Sequence, residues 1–239
     1  MNKPNFHTKG YLFDYGGTLD TNGDHWGMML WHAYECQQVP VSEAEFREAY
    51  VFAERRLGSH PIIKADFTFK QTLSTKISIE LQHLSDQGCL AADSFVIERY
   101  HADILTDLYA RVVATTAHSR EVLTALRKEA PMVLVSNFYG NIGVVLREFG
   151  LDHLFSGVIE SAVVGVRKPD PKIYQLGVEA LGLDAADVTV VGDSYRKDIV
   201  PAKSLGCNTV WMKGEGWQPD DEADTAAADL IIHDLKELL

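Results

Sequence analysis

Two textures of apolar patterning alternate along the chain. One consists of short continuous apolar runs that stop at a polar residue. Gly10 to Phe13 ends at Asp14, Pro131 to Val135 at Ser136-Asn137, and Val188 to Gly192 at Asp193. Runs of this length bounded by glycine or polar residues predict buried strands. Val158-Ile159 predicts a further short strand, and Asn208 to Met212 and Leu230 to Ile232 predict outer strands. The other texture is helical. Trp26 to Gln37 carries apolar residues at helical spacing. A second helix opens on Ser42 as cap with acidic residues in its first turn, and runs to about Leu57 with Phe46, Tyr50, Ala53 and Leu57 on one face. Gly58-Ser59-His60-Pro61 breaks it. Thr68 to about Leu84 and Asp93 to about Ala110 read as two more helices. Others follow at 118–128, 141–149, 171–181 and 199–205, several closed by glycine.

Strands alternating with helices predict an α/β fold, a doubly wound parallel sheet with helices on both faces. The first strand stands apart from the rest, separated by about ninety residues of helix. The expected organisation is therefore a core domain of residues 1–20 and 116–239, with a helical cap domain, 21–115, inserted after the first strand and lying over the carboxyl edge of the sheet.

Composition narrows the function classes. Hydrophobic residues are 46% and charged residues 23% of 239, as in an ordinary globular protein. A net charge of −12 argues against a nucleic-acid partner. No apolar stretch is long enough to span a bilayer, and Met1 to His7 shows no signal-peptide pattern. Cys36, Cys89 and Cys207 are scattered without metal-site spacing and read as free thiols. A cytoplasmic location is the expectation. The acidic run Asp220, Asp221, Glu222 and Asp224 reads as a solvated loop.

In a parallel sheet, right-handed crossovers bring strand ends to one rim, where ligands bind. That rim would collect Asp14, Ser136, Asn137, Lys168, Asp193 and Asp198. Such a set suits phosphoryl chemistry. Asp14 can attack phosphorus and form an aspartyl-phosphate. Asp193 and Asp198 can hold a hard cation such as Mg²⁺, which offsets repulsion between anionic nucleophile and substrate. Lys168 would neutralise phosphate charge and Ser136 would hydrogen-bond a phosphate oxygen. Backbone amides of Gly16, Gly17 and Thr18 could form an anion nest.

These residues, in this order, resemble the four motifs of the haloacid dehalogenase superfamily. Asp14-Tyr15-Gly16-Gly17-Thr18 is similar to its Asp-x-Asp-x-Thr. Ser136 matches the strand-terminal hydroxyl, Lys168 in Arg167-Lys168-Pro169 the third motif, and Gly192-Asp193 with Asp198 the fourth. The insertion falls where members with a C1-type cap carry theirs. The resemblance implies a hydrolase, most often a Mg²⁺-dependent phosphatase of a small phosphorylated metabolite. It implies catalytic roles for Asp14, Ser136 and Lys168, phosphate contacts from Gly17, Thr18, Ser136, Asn137 and Lys168, and metal ligands from Asp14, the Gly16 carbonyl, Asp193 and Asp198.

One departure changes the expected chemistry. The family's phosphatases usually carry an acid/base Asp two places after the nucleophile, and here Gly16 stands there. General acid-base catalysis supplies roughly 10² to 10⁴ in rate, so a slow phosphatase or a phosphometabolite-binding protein without turnover is an alternative. Asp20, His25, His32 and His60 are the candidate replacements. A phosphonate or haloacid hydrolase is a further alternative. Lys64, Lys70 and Lys76 are the cap lysines a phosphonate mechanism would draw on, and Arg55 and Arg56 could meet an anionic substrate tail.

Overall fold

The computed structural model describes residues 8–217 and 225–239; the readings of Met1 to His7 and of the acidic run at 220–224 lie outside the described residues. Six parallel strands form one sheet: β1 (Gly10–Phe13), β2 (Met132–Ser136), β3 (Gly157–Glu160), β4 (Val188–Gly192), β5 (Asn208–Met212) and β6 (Leu230–Ile232). Their spatial order is β3-β2-β1-β4-β5-β6, which puts β1 at the centre, between β2 and β4. The order reverses beside β1, the place where an open α/β sheet forms its ligand crevice.

Alternation along β1 divides the core. Leu12 packs with Val133, Val135, Val190, Ile173 and Tyr174 on one face. Phe13 faces the other way, into a cluster shared with α4 (Ser94–Leu126) and α5 (Ile142–Glu148). The short α6 (Ser161–Val164) follows β3, while α7 (Lys172–Leu181) covers the Leu12 face and α8 (Val200–Ser204) links β4 to β5. Before α4, the inserted segment contributes α1 (Trp26–Cys36), α2 (Glu43–Ser59) and α3 (Phe69–Asp86). Ser42 with Glu45, and Thr68 with Gln71, close capping boxes that fix the starts of α2 and α3. No helix among the described residues is long and apolar enough to cross a membrane. Cys36 is exposed, Cys89 partly covered and Cys207 buried, and all three are free thiols.

Two elements differ from the sequence expectation. The helices expected at 93–110 and 118–128 are one continuous helix, α4, of 33 residues. The stretch from Arg111 to Ala117 is rich in β-branched residues, which weakens local helix propensity. Burial overrides it. Ile104, Leu108, Val112, Thr116, Ser119, Leu123 and Leu126 form one unbroken buried stripe, and Thr116 Oγ1 returns a hydrogen bond to the Val112 carbonyl at 2.7 Å. The helix expected at 199–205 starts earlier, with a π-helical turn over Tyr195–Ile199, a feature often found beside functional sites.

The long helix also braces the loop that follows β1. Ser119 Oγ donates to the Leu19 carbonyl at 2.7 Å, and both groups are buried. Ser119→Ala leaves that carbonyl without its donor, so stability to urea is expected to fall by roughly 1–3 kcal/mol. A loss under 0.5 kcal/mol in equilibrium unfolding would show the bond to be dispensable.

Candidate active site

Parallel pairing sets the site. Phe13 lies in register with Val191 of β4 and with Leu134 of β2. The next residue, Asp14, donates its backbone N–H to the Val191 carbonyl at 3.0 Å. Asp14, Ser136 and Asp193 therefore leave the sheet at one edge, and all three line the same cavity.

The centre of that cavity is a charge cluster. Carboxylate oxygens of Asp14, Asp193 and Asp198 lie within 4.8 Å of one another. Lys168 Nζ sits 2.7 Å from Asp14 Oδ1 and 2.8 Å from Asp198 Oδ1, with its side chain 2% exposed. Burial alone would lower the lysine's proton affinity, but Asp14 and Asp198 outweigh it and hold the ammonium above its usual range. Burial, reinforced by Asp198 and Asp14, pushes the Asp193 carboxyl well up. Asp14 is raised by burial, against the pull of Lys168.

Fixed dipoles hold the carboxylates in place. Tyr174 OH donates to Asp198 Oδ1 at 2.6 Å, and the Ser194 amide donates to Oδ2 at 2.9 Å. Thr18 Oγ1 donates to Asp193 Oδ1 at 3.1 Å, while Trp211 Nε1 donates to the Asp193 carbonyl at 2.7 Å. Two glycines make the approach possible. A Cβ at Gly17, whose φ is +95°, would lie 2.3 Å from Asp193 Cγ, and one at Gly192 would lie 2.5 Å from Asp198 Cβ.

Three carboxyl groups share one ammonium here, and all present hard oxygen donors. A divalent cation such as Mg²⁺ fits that donor set, and its charge would favour the ionised forms that burial opposes.

Several expected phosphate contacts are used otherwise. The Thr18 hydroxyl is on Asp193, and Thr18 does not line the cavity. Asn137 lines it, but its amide makes a reciprocal pair with the backbone of Lys168, at 3.0 and 3.2 Å. It thereby positions the lysine. The anticipated nest of amides is largely closed, because the Gly17 N–H donates to Asp20 Oδ1 at 2.7 Å and the Thr18 N–H to the Tyr15 carbonyl. Ser136 and Lys168 remain as side chains that face the cavity.

The surroundings of Gly16 are occupied by an indole. A Cβ there would lie 3.9 Å from Trp26 Nε1, an ordinary contact. Trp26 Nε1 donates to Asp20 Oδ2 at 3.0 Å. Burial pushes the Asp20 carboxyl up to about 7, and it lines the cavity. His25 lines it too. Its Nδ1 caps α1 by accepting from the Gly27 N–H at 3.0 Å, and burial with nearby cations lowers the ring to about 4, so it is neutral at pH 7 with its proton on Nε2. His32 is held by Glu35 and Glu215, and neither it nor His60 lines the cavity. The same is true of Lys64, Lys70, Arg55 and Arg56, whereas Lys76 does line it.

The cavity measures about 450 Å³ and is walled on the cap side by α2 and α3. The sequence assigns no role to several groups in it, among them Glu54, Tyr139, Arg167 and Lys197. Lys76, which nothing distinguished from the other cap lysines, had a readable signal. It falls in phase with the buried stripe Phe69, Leu73, Ile77 and Leu84 of α3, as does Glu80. A charged residue in the apolar phase of a helix is costly unless paired. Tyr174 offered no such signal; it is one of several polar-tipped positions after Lys168.

Comparisons with known proteins bear on the family and the fold. The sequence profile of the haloacid dehalogenase-like hydrolases matches residues 8–206. A phosphoglycolate phosphatase from Vibrio cholerae is 27% identical over 230 residues, 95% of this chain and 93% of that protein. A phosphoserine phosphatase from Thermus thermophilus is 37% identical over 89 residues, and a glyceraldehyde 3-phosphate phosphatase from Pyrococcus furiosus 33% over 124. Those two matches span 37% and 51% of this chain and only 34% and 51% of the relatives. Among solved structures, HAD-hydrolase YfnB from Bacillus subtilis, bound to magnesium, superimposes with a TM-score of 0.58 at 19% identity over 97% of each chain. A dehalogenase does so at 0.61 and 18% identity, over 98% of this chain and 96% of that one. The fold is shared by both, and with the profile covering most of its length, the chain belongs to the haloacid dehalogenase-like hydrolases.

Proposed function

We propose that the protein is a Mg²⁺-dependent phosphatase acting on a small phosphorylated metabolite through an aspartyl-phosphate at Asp14. The observation that carries this reading is the Asp14 carboxylate at 2.7 Å from the Lys168 ammonium, grouped with Asp193 and Asp198 in the cavity. Asp14, Asp193, Asp198 and the Gly16 carbonyl are the ligands we assign to the metal, which when bound would supply Lewis-acid charge neutralisation. The chain's own groups do the rest. Lys168 neutralises the incoming phosphate, and the Ser136 hydroxyl donates to one of its oxygens. An Asp14 oxygen attacks phosphorus as the ester oxygen leaves. Water then attacks the phosphorus of the aspartyl-phosphate, which frees the Asp14 carboxylate and inorganic phosphate.

The leaving oxygen must gain a proton, and Gly16 has none to give. Asp20 and His25 are the cavity-lining candidates. The Asp20 carboxyl, at about 7, retains a proton at neutral pH in a good fraction of molecules, and neutral His25 carries one on Nε2. Gly16 also favours a second reading, a phosphometabolite-binding protein with little turnover. The raised affinity of Lys76 for its proton argues against a nucleophilic cap amine, and so against the phosphonate mechanism. The retained carboxylate cluster argues against haloacid chemistry.

In a phosphate-ester panel, hydrolysis should need Mg²⁺, stop with EDTA, and drop by at least about 10³ in Asp14→Asn. Turnover that survives either treatment would overturn the mechanism. Gly16→Asp meets only the indole edge of Trp26 and should fold. It is expected to raise kcat on glycerol phosphate by tenfold or more, roughly within the range of general-acid catalysis. The gain on p-nitrophenyl phosphate, whose leaving group needs no proton, should be smaller. No gain on either ester would favour the binding-protein reading.

A further inference from the structure

The cap side of the cavity holds an ion pair with unequal partners. Glu54 of α2 and Lys76 of α3 meet at 2.6 Å, Nζ to Oε1. Tyr139, from the loop after β2, donates its hydroxyl to the same Oε1 at 3.3 Å. Lys76 Nζ also lies 4.2 Å from the centre of the Tyr50 ring, a cation–π contact that occupies another side of the ammonium. The lysine side chain is 10% exposed, the glutamate 39%. The cavity is thus presented with a carboxylate more than with an ammonium. Both donors converge on Oε1, and among the described residues Oε2 has no donor.

Burial would raise the Glu54 carboxyl, but Lys76 and Tyr139 outweigh it and hold the group below its usual value. Glu54 is therefore an ionised acceptor with one oxygen open to the cavity that also contains Asp14. An acceptor fixed in this way rewards a hydrogen-bond donor and repels a second carboxylate.

We propose that Glu54 selects the leaving group, its open oxygen accepting from a hydroxyl or amino group on the far end of the phosphate ester and excluding esters that end in a carboxylate. Lys76 and Tyr139 position it. The cations Arg167 and Lys197 also line the cavity; Lys197 adds to the pull that keeps Glu54 ionised, and the Arg167 guanidinium reaches α2 at Gly58, so the Glu54 charge acts on the distal group against both. The inference rests on the phosphatase reading above and adds the substrate class.

The test compares glycerol phosphate with phosphoglycolate, two small esters that differ at the distal end. The wild type should favour glycerol phosphate in kcat/KM by at least about tenfold. Glu54→Gln keeps the shape but removes the charge, and with Lys76 and Tyr139 both donating to its one acceptor oxygen it turns an amide NH2 to the open position. It should raise kcat/KM for phosphoglycolate by about tenfold, chiefly through KM, while glycerol phosphate, deprived of its acceptor, falls by at least about threefold. Glu54→Ala should lose glycerol phosphate selectively. A purely structural role would move both esters together, and that outcome overturns the proposal, as does a wild type that prefers phosphoglycolate. Circular dichroism melting of each variant checks folding. Calorimetry on Asp14→Asn with each ester separates the two readings. Tighter binding of glycerol phosphate without hydrolysis by the wild type would defeat the phosphatase mechanism and keep the selection by Glu54. Equal binding of the two esters would defeat the selection.

Discussion

Three carboxylates do not gather in a protein interior unless something holds them there, and here the buried ammonium of Lys168 does so. It touches Asp14 and Asp198 at once, and much of the surrounding structure serves that contact. The Asn137 amide fixes the lysine backbone. Tyr174, Ser194 and Thr18 supply dipoles for the charge that one lysine cannot balance. Gly17 and Gly192 are the two places where a single methyl group would collide with the acidic side chains. Stability is sacrificed at such a cluster, because each desolvated carboxylate costs several kcal/mol before pairing. A binding site for a cation and an anion together is what that arrangement can return.

Legibility of the sequence followed the physics of each region. The sheet was readable because its strands are short, apolar and end at polar residues, and β1 to β6 fall where those runs lie. Asp14, Ser136, Lys168, Asp193 and Asp198 were readable because a parallel sheet gathers strand ends, and the structure brings all five to one cavity. The uses of Thr18, Asn137 and the Gly17 amide were not, since which neighbour a hydroxyl or an amide meets depends on side-chain placement a few ångströms away. The break expected after Ala110 failed for a different reason. Local propensity in 111–117 is weak, and only tertiary burial of Val112, Thr116 and Ser119 explains why the helix continues.

The two sides of the cavity differ in the same way. Its core side rests on backbone register, which a pattern of apolar runs encodes directly. Its cap side rests on helix packing, where Glu54 and Lys76 meet across 22 positions in the chain and Tyr139 arrives from a separate loop. Neither partner announces the other. The phase of Lys76 within α3 tells only that a partner must exist. Chemistry common to a family and choice of substrate by one member are thus written in different physical codes.

The continuity of α4 has a mechanical consequence. The cap is joined to the sheet by two crossings. One is the loop after β1, where Asn22 and Gly23 both adopt positive φ. The other is the interior of a single helix about 50 Å long at 1.5 Å per residue, anchored to the cap at Ile104 and Leu108 and to the core at Val122 and Leu126. A helix interior resists bending far more than a loop does. Any swing of the cap would pivot on the loop while α4 acts as a strut, so the cap tilts about one edge of the cavity mouth and does not lift away evenly.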